Sequence, residues 1–139
     1  MEIISNIAWV FYINPESAAL FENDKVGKWM YFFSDRSVVE KLCKEAVENG
    51  IVAEAKHSND SEGVSCFYLN CDDIETQKKI TRFFIDNNLI RRTKAGKYYN
   101  ISFKLDSQTD KGEYGKGFKA EIKLDEFIDL ETGEWIYEC

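Results

Sequence analysis

The chain is short of the residues on which small catalytic and extracellular proteins rely. Its 139 residues contain one histidine, His57, and one proline, Pro15. A single imidazole leaves only one base for a Ser–His–Asp or Cys–His pair, and no Gly-x-Ser-x-Gly elbow is present. His57 opens the polar stretch His57-Ser58-Asn59-Asp60-Ser61-Glu62-Gly63, so the expectation is an exposed, solvated ring in a turn. No apolar run approaches the roughly 20 residues needed to span a bilayer. Residues Met1 to Asn6 lack the basic and long apolar regions of a secretion signal. The four cysteines, Cys43, Cys66, Cys71 and Cys139, are therefore expected as reduced thiols in a cytoplasmic protein.

Two motifs invite a chemical reading and fail it. Cys66 and Cys71, with His57 nearby, superficially suit zinc. Residues five apart on a strand point to opposite faces, and a fourth ligand is missing, so neither metal nor cofactor is expected. The glycine run Gly112-Glu113-Tyr114-Gly115-Lys116-Gly117 lacks the Ser or Thr of a phosphate loop and leads into a strand pattern.

Aromatic side chains are plentiful: ten Phe, seven Tyr and three Trp exclude a disordered chain of low hydrophobicity. The length suits one domain spanning 1–139, with a core over 28–105 and an acidic extension over 106–139. The net charge is −7, unevenly distributed. Residues 1–71 carry 11 acids and 6 bases, residues 72–105 carry 4 and 8, and residues 106–139 carry 10 and 4. A basic middle between acidic ends is expected to compensate internally, while the overall acidity opposes loose binding to nucleic acid or anionic membrane.

Hydrophobic periodicity outlines an α+β chain. A strand pattern over 7–13 is apolar on both faces, with Ile7, Trp9, Phe11 and Ile13 alternating with Ala8, Val10 and Tyr12. Asn14-Pro15 starts a short helix. Lys28 to Phe33 is a strand with Trp29, Tyr31 and Phe33 on one face. The clearest helix follows: Ser37 and Glu40 have capping-box spacing, Val38, Val39, Leu42, Cys43, Ala46 and Val47 form a stripe at helical period, and Gly50 stops it. A strand over 51–56 and another over 64–70 form a hairpin. Asp72 opens a second long helix, ended by Asn87-Asn88. Leu89–Arg92 and Tyr98–Leu105 flank the turn Lys94–Lys97, and 118–124 alternates as a last strand. The order from 28 to 105 predicts an antiparallel sheet covered by two main helices, with a ferredoxin-like split βαβ core and added N- and C-terminal strands.

Two surfaces are candidate sites. Asp125, Glu126, Asp129, Glu131 and Glu134 place five acids within ten residues, interleaved with Phe127, Ile128, Leu130, Trp135 and Ile136. An acidic ridge with apolar anchors suits a basic cleft such as a nuclease's DNA channel. Arg91, Arg92, Lys94 and Lys97, beside Tyr98 and Tyr99, make a basic turn that suits RNA or DNA in a module of RNA-recognition-like topology. The stretch 63–69 lacks the aromatic-Gly pattern of that module, and acidity opposes the phosphate contribution to affinity. A small-molecule or nucleotide-signal binder with an aromatic pocket is a further alternative.

Fourteen Lys against four Arg, with frequent Ile and Asn, point to an AT-rich bacterial or phage genome. A small, acidic, single-domain αβ chain without a catalytic set resembles anti-CRISPR proteins of phages and mobile elements, in size, charge and style over the whole chain. That resemblance implies a non-enzymatic inhibitor, located in a host cytoplasm, whose partner is a CRISPR effector nuclease or other defence protein. It transfers no family residues.

Overall fold

The computed structural model describes residues 1–107 and 122–137. The elements are β1 (Glu2–Ser5), β2 (Trp9–Ile13), α1 (Pro15–Ala18), β3 (Val26–Phe33), α2 (Arg36–Glu48), β4 (Glu54–Ser58), β5 (Gly63–Asn70), α3 (Ile74–Asp86), β6 (Ser102–Leu105) and β7 (Ile122–Lys123). The strands form one seven-stranded antiparallel sheet in the order β1-β2-β4-β5-β3-β6-β7, with two main helices packed on it. Both β3 and β4 run antiparallel to the β5 between them, so α2 joins two parallel strands across an intervening one. The same geometry holds for β5 and β6 around β3, joined by α3. These two interleaved crossovers fix both helices on one side of the sheet.

Local chemistry explains the helices. Asn14 caps α1 with Pro15 at its first position. The cap of α2 is Asp35, two residues before the expected Ser37: its Oδ1 accepts from the Ser37 and Val38 amides and from the Ser37 hydroxyl. Asp73, rather than Asp72, caps α3 by accepting from the Thr76 amide and hydroxyl. Gly50 at φ 68° and Asn88 at φ 57° end the helices in the left-handed region, as their residue types predict.

Alternation divides each strand between two faces. Beneath the helices, Tyr12, Ala55, Phe67 and Trp29 align in register across four strands, as do Val10, His57, Ser65 and Tyr31. Trp29, Phe67, Phe84 and Ile80 are fully buried, each contributing roughly 1.5–3 kcal/mol of apolar burial. Trp29 Nε1 donates to Gln77 Oε1 at 2.8 Å, and Gln77 Nε2 donates to the Cys71 carbonyl at 3.2 Å, which satisfies a polar pair inside the core.

His57 corrects the sequence reading. It is 0% exposed, because β4 runs through Ser58 and pairs His57 with Val10 on the helix-covered face. Its Nδ1 lies 2.9 Å from the Ser58 carbonyl, which can only accept, and its Nε2 lies 3.1 Å from the Tyr12 hydroxyl. One neutral tautomer satisfies both bonds. Burial pushes the Tyr12 phenol up to about 12.

The expected hairpin over 89–105 reduces to a single bridge, Arg92 with Tyr98, before the short β6. Of the expected 118–124 strand, residues 122–123 form β7, Leu124 opens a 3-10 turn instead, and 118–121 lie outside the described residues, as does the glycine run 112–117. No helix among the described residues is long and apolar enough to cross a membrane.

Candidate functional site

The face opposite the two main helices carries polar and aromatic side chains in registered rows. One row is Ile13, Glu54, Tyr68, Lys28 and Lys104, crossing β2, β4, β5, β3 and β6. The next is Phe11, Lys56, Cys66 and Met30. Beyond it Trp9 pairs with Ser58, and Phe32 with Val64, and all four line one open hollow of about 550 Å³. The strand ladder therefore assembles five sequence segments into a surface that no single segment announces.

Electrostatics organise its centre. Lys56 Nζ stands 3.9 Å from the Trp9 ring centroid, 5.6 Å from Phe11 and 5.8 Å from Tyr68. The ring faces are electron-rich and hold the ammonium, which is worth about 0.5–2 kcal/mol depending on desolvation. Lys28 Nζ pairs with Asp106 Oδ1 at 2.8 Å. Burial pushes the Cys66 thiol up, against the opposing influence of Lys56 and Lys28. Burial also pushes up the Tyr68 phenol and the Glu54 carboxyl. Cys66 is thus held as a thiol, not as the thiolate a nucleophile requires. Its neighbours supply cations, rings and hydrogen-bonding groups, which is chemistry for binding.

At one end of this face the strands part. β3 and β6 pair only at Gly27–Leu105 and Lys28–Lys104. Past that point Tyr99 and Ile101 leave the ladder, and a groove of about 460 Å³ opens beside Met30 and Phe32. Phe32 is 70% exposed and Tyr99 45%. Arg91 and Lys104 line the same groove and are exposed.

The sequence-derived basic turn divides between structure and surface. Arg92 is committed internally: Nη1 donates to the Gly96 carbonyl at 2.9 Å, Nη2 to the Tyr98 hydroxyl at 2.7 Å, and the guanidinium lies 4.1 Å from the Tyr98 ring centroid. Lys97 pairs with Glu131 at 3.4 Å, an instance of the expected internal compensation. Lys94 is exposed, and of the four only Arg91 lines the groove.

The acidic segment divides similarly. Asp125, Glu126, Glu131 and Glu134 are exposed. Asp129 is the keystone of a turn: its Oδ1 accepts from the Glu131 and Thr132 amides, and its backbone bonds Gly133 and Glu134. Most residues expected as docking anchors belong to the core instead. Phe127 and Ile128 are buried, Leu130 and Trp135 pack against the cluster, and Phe127 sits edge-on to Trp29 at 6.2 Å. Ile136 alone of the five is exposed. Hydrophobic burial claims such residues wherever the sheet offers a face to cover.

The suspected zinc ligands do not converge. His57 faces the helices, whereas Cys66, registered beside Lys56, faces the other way, and Cys71 lies beyond the end of β5. No group of three or more His, Cys, Asp or Glu among the described residues is arranged to hold a metal.

Sequence reasoning missed Trp9, Phe11, Lys28, Phe32, Lys56, Tyr99 and Lys104 as one surface. A signal was present: Glu54-x-Lys56 and Cys66-x-Tyr68 put polar groups at alternate positions of strands whose other positions are core. Compared with known proteins, the chain matches no family model, no curated protein and no solved structure.

Proposed function

We propose that this chain is a binding module for single-stranded nucleic acid, built on a ferredoxin-like split βαβ core extended by β1, β2 and β7. The strand order β4-β5-β3-β6 with two crossover helices on one side supports that core assignment. The observation that carries the function is the opposite face, whose rows hold the rings of Trp9, Phe11 and Phe32 around a buried centre at Cys66 and Tyr68, with Lys56 and Lys104 among them. Bases stack on aromatic platforms whatever their sequence, at about 1–3 kcal/mol each, while cations follow the backbone. Trp9 and Phe32 flank one hollow, with Asp60 in its lining, and Lys56 places a cation on the Trp9 ring. The net charge of −7 favours a weak, selective binder over a general one.

The test is fluorescence anisotropy with labelled 12-nucleotide RNA and DNA, single-stranded and duplex. Single strands bind and duplexes do not. The double substitution Trp9→Ala/Phe32→Ala weakens binding by tenfold or more with the circular dichroism spectrum unchanged. Equal binding of duplex and single strand, or an unaffected double variant, contradicts the reading.

A second reading is favoured by the exposure of Asp125, Glu126, Glu131 and Glu134. It is a non-enzymatic inhibitor whose acids occupy the nucleic-acid channel of a host defence nuclease such as a CRISPR effector. Charge reversal at Asp125, Glu126 and Glu134 tests it without disturbing the Asp129 turn. A folded triple variant that still inhibits the effector removes that mechanism.

A further inference from the structure

We infer that the groove between β3 and residues 99–102 is a subsite for one nucleotide, with its base against the aromatic rings and its phosphate on Arg91 and Lys104. This inference rests on the nucleic-acid reading and adds a ligand chemistry and a location to it.

The groove has a structural cause. Pairing of β3 with β6 stops after Lys28–Lys104, and the chain upstream is held elsewhere. The Tyr98 amide donates to the Leu130 carbonyl at 2.7 Å and the Tyr99 amide to the Arg91 carbonyl at 2.9 Å. The segment therefore stands away from β3 and leaves a recess of about 460 Å³, within the roughly 300–1,000 Å³ of small-molecule sites.

The lining matches the two halves of a nucleotide. Phe32 and Tyr99 present rings that are 70% and 45% exposed, a costly placement for aromatic surface without a stacking partner. Met30 and Ile101 add apolar surface beside them. Arg91 and Lys104 bring two cations, and no acid lines the groove among the described residues. In a chain with 25 acids and 18 bases, an acid-free recess with two cations selects an anion. Arg91 offers a planar fork that matches phosphate oxygens, and Lys104 adds a point charge. Phe32 lines both this groove and the Trp9 hollow. A strand seated here therefore continues across the sheet towards β2.

A nucleotide in this groove can come from a chain or from solution, and the test separates the two sources. The protein is titrated with each nucleoside 5′-monophosphate, with the matching nucleosides, and with labelled 12-nucleotide RNA and DNA, while backbone NMR shifts are followed. Saturable shifts at Arg91, Phe32, Tyr99 and Lys104 are expected with monophosphates and are at least fivefold weaker with nucleosides. Tyr99→Ala and Arg91→Ala weaken oligonucleotide binding fivefold or more, Tyr99→Phe restores it, and Lys94→Ala, on the same turn but outside the groove, changes it less than twofold. If monophosphates bind as tightly as oligonucleotides, the subsite stands and its source is a free nucleotide. If oligonucleotides bind through Trp9 and Phe32 while Tyr99→Ala and Arg91→Ala have no effect, the subsite is refuted and the broader reading survives. If neither probe binds the wild type, both fall.

Discussion

Replacing Gln77 by Leu removes the acceptor of the Trp29 indole N–H at nearly constant side-chain volume. The bond is 2.8 Å long, and both residues lie inside the core, so no solvent replaces the lost partner. The expected cost is about 1–3 kcal/mol, the penalty for one stranded buried donor, plus the lost 3.2 Å bond to the Cys71 carbonyl. Trp29→Phe removes the donor and opens a small cavity, at about 2 kcal/mol. The double variant no longer strands the N–H, so its loss falls below the sum of the singles by about 1–2 kcal/mol. Urea denaturation of all four proteins measures this, with unchanged m-values certifying that only stability moved. A coupling below about 0.5 kcal/mol, the limit of simple additivity, refutes the role assigned to the pair.

Three further outcomes follow from the same packing. Tyr12→Phe leaves His57 Nε2 without its 3.1 Å partner in the core and lowers the urea midpoint by an amount equivalent to about 1–2 kcal/mol; an unchanged midpoint contradicts the bond. A methyl added at Gly27 meets the Lys104 carbonyl oxygen and Phe103 Cε1, each at 2.5 Å, so Gly27→Ala costs about 1–3 kcal/mol and lowers the melting temperature; an unaltered melt removes the close approach of β6 to β3. Burial raises the Glu54 pKa in the folded state, so its contribution is intact below the unfolded value and is lost as pH rises through the folded value. Glu54→Gln therefore stabilises the protein at pH 7 relative to wild type and has little effect at pH 3.5. The reverse pattern in paired thermal melts contradicts the burial argument.

Much of the fold was legible where local signals agree. The stripe Val38, Val39, Leu42, Cys43, Ala46, Val47 made α2 plain, and all but Val38, at its exposed edge, are buried. The caps shifted by one or two residues because Asp35 and Ser37, like Asp72 and Asp73, are chemically competent rivals, and only backbone direction chooses between them. Nonlocal pairing decided the rest. His57 looks solvated from its neighbours, yet registry with Val10 and closure by Tyr12 bury it. The hairpin after Leu89 is confined to the bonds Tyr99 amide to Arg91 and Thr93 amide to Lys97, while the outward-facing Tyr98 amide bonds Leu130, 32 residues along the chain. β1 escaped notice as a four-residue strand with no buried face to impose a period. The candidate face was least legible: Trp9, Lys56, Phe32 and Lys104 come from four strands, and each alone is an ordinary surface or strand residue.

In the acidic segment the packing corrects the expected apolar anchors and leaves most of the acids exposed. Phe127 stacks on Trp135 at 5.7 Å and approaches Tyr137 at 5.6 Å, so these rings close the core beside β6 and β7. The acids between them face water because their neighbours cannot. A solvated face and a docking ridge share this pattern, and only the packing of the apolar partners separates them.

The most direct measurement of the central claim is the salt dependence of single-strand binding by the wild-type protein. Three cations, Arg91, Lys56 and Lys104, stand on or beside the candidate face. Three phosphate contacts predict a slope of log K against log salt of about −2 for single strands. Anisotropy titrations between about 50 and 200 mM salt are expected to give that slope, with affinity surviving at the upper end through base stacking. Absence of single-strand binding at the lowest salt contradicts the account.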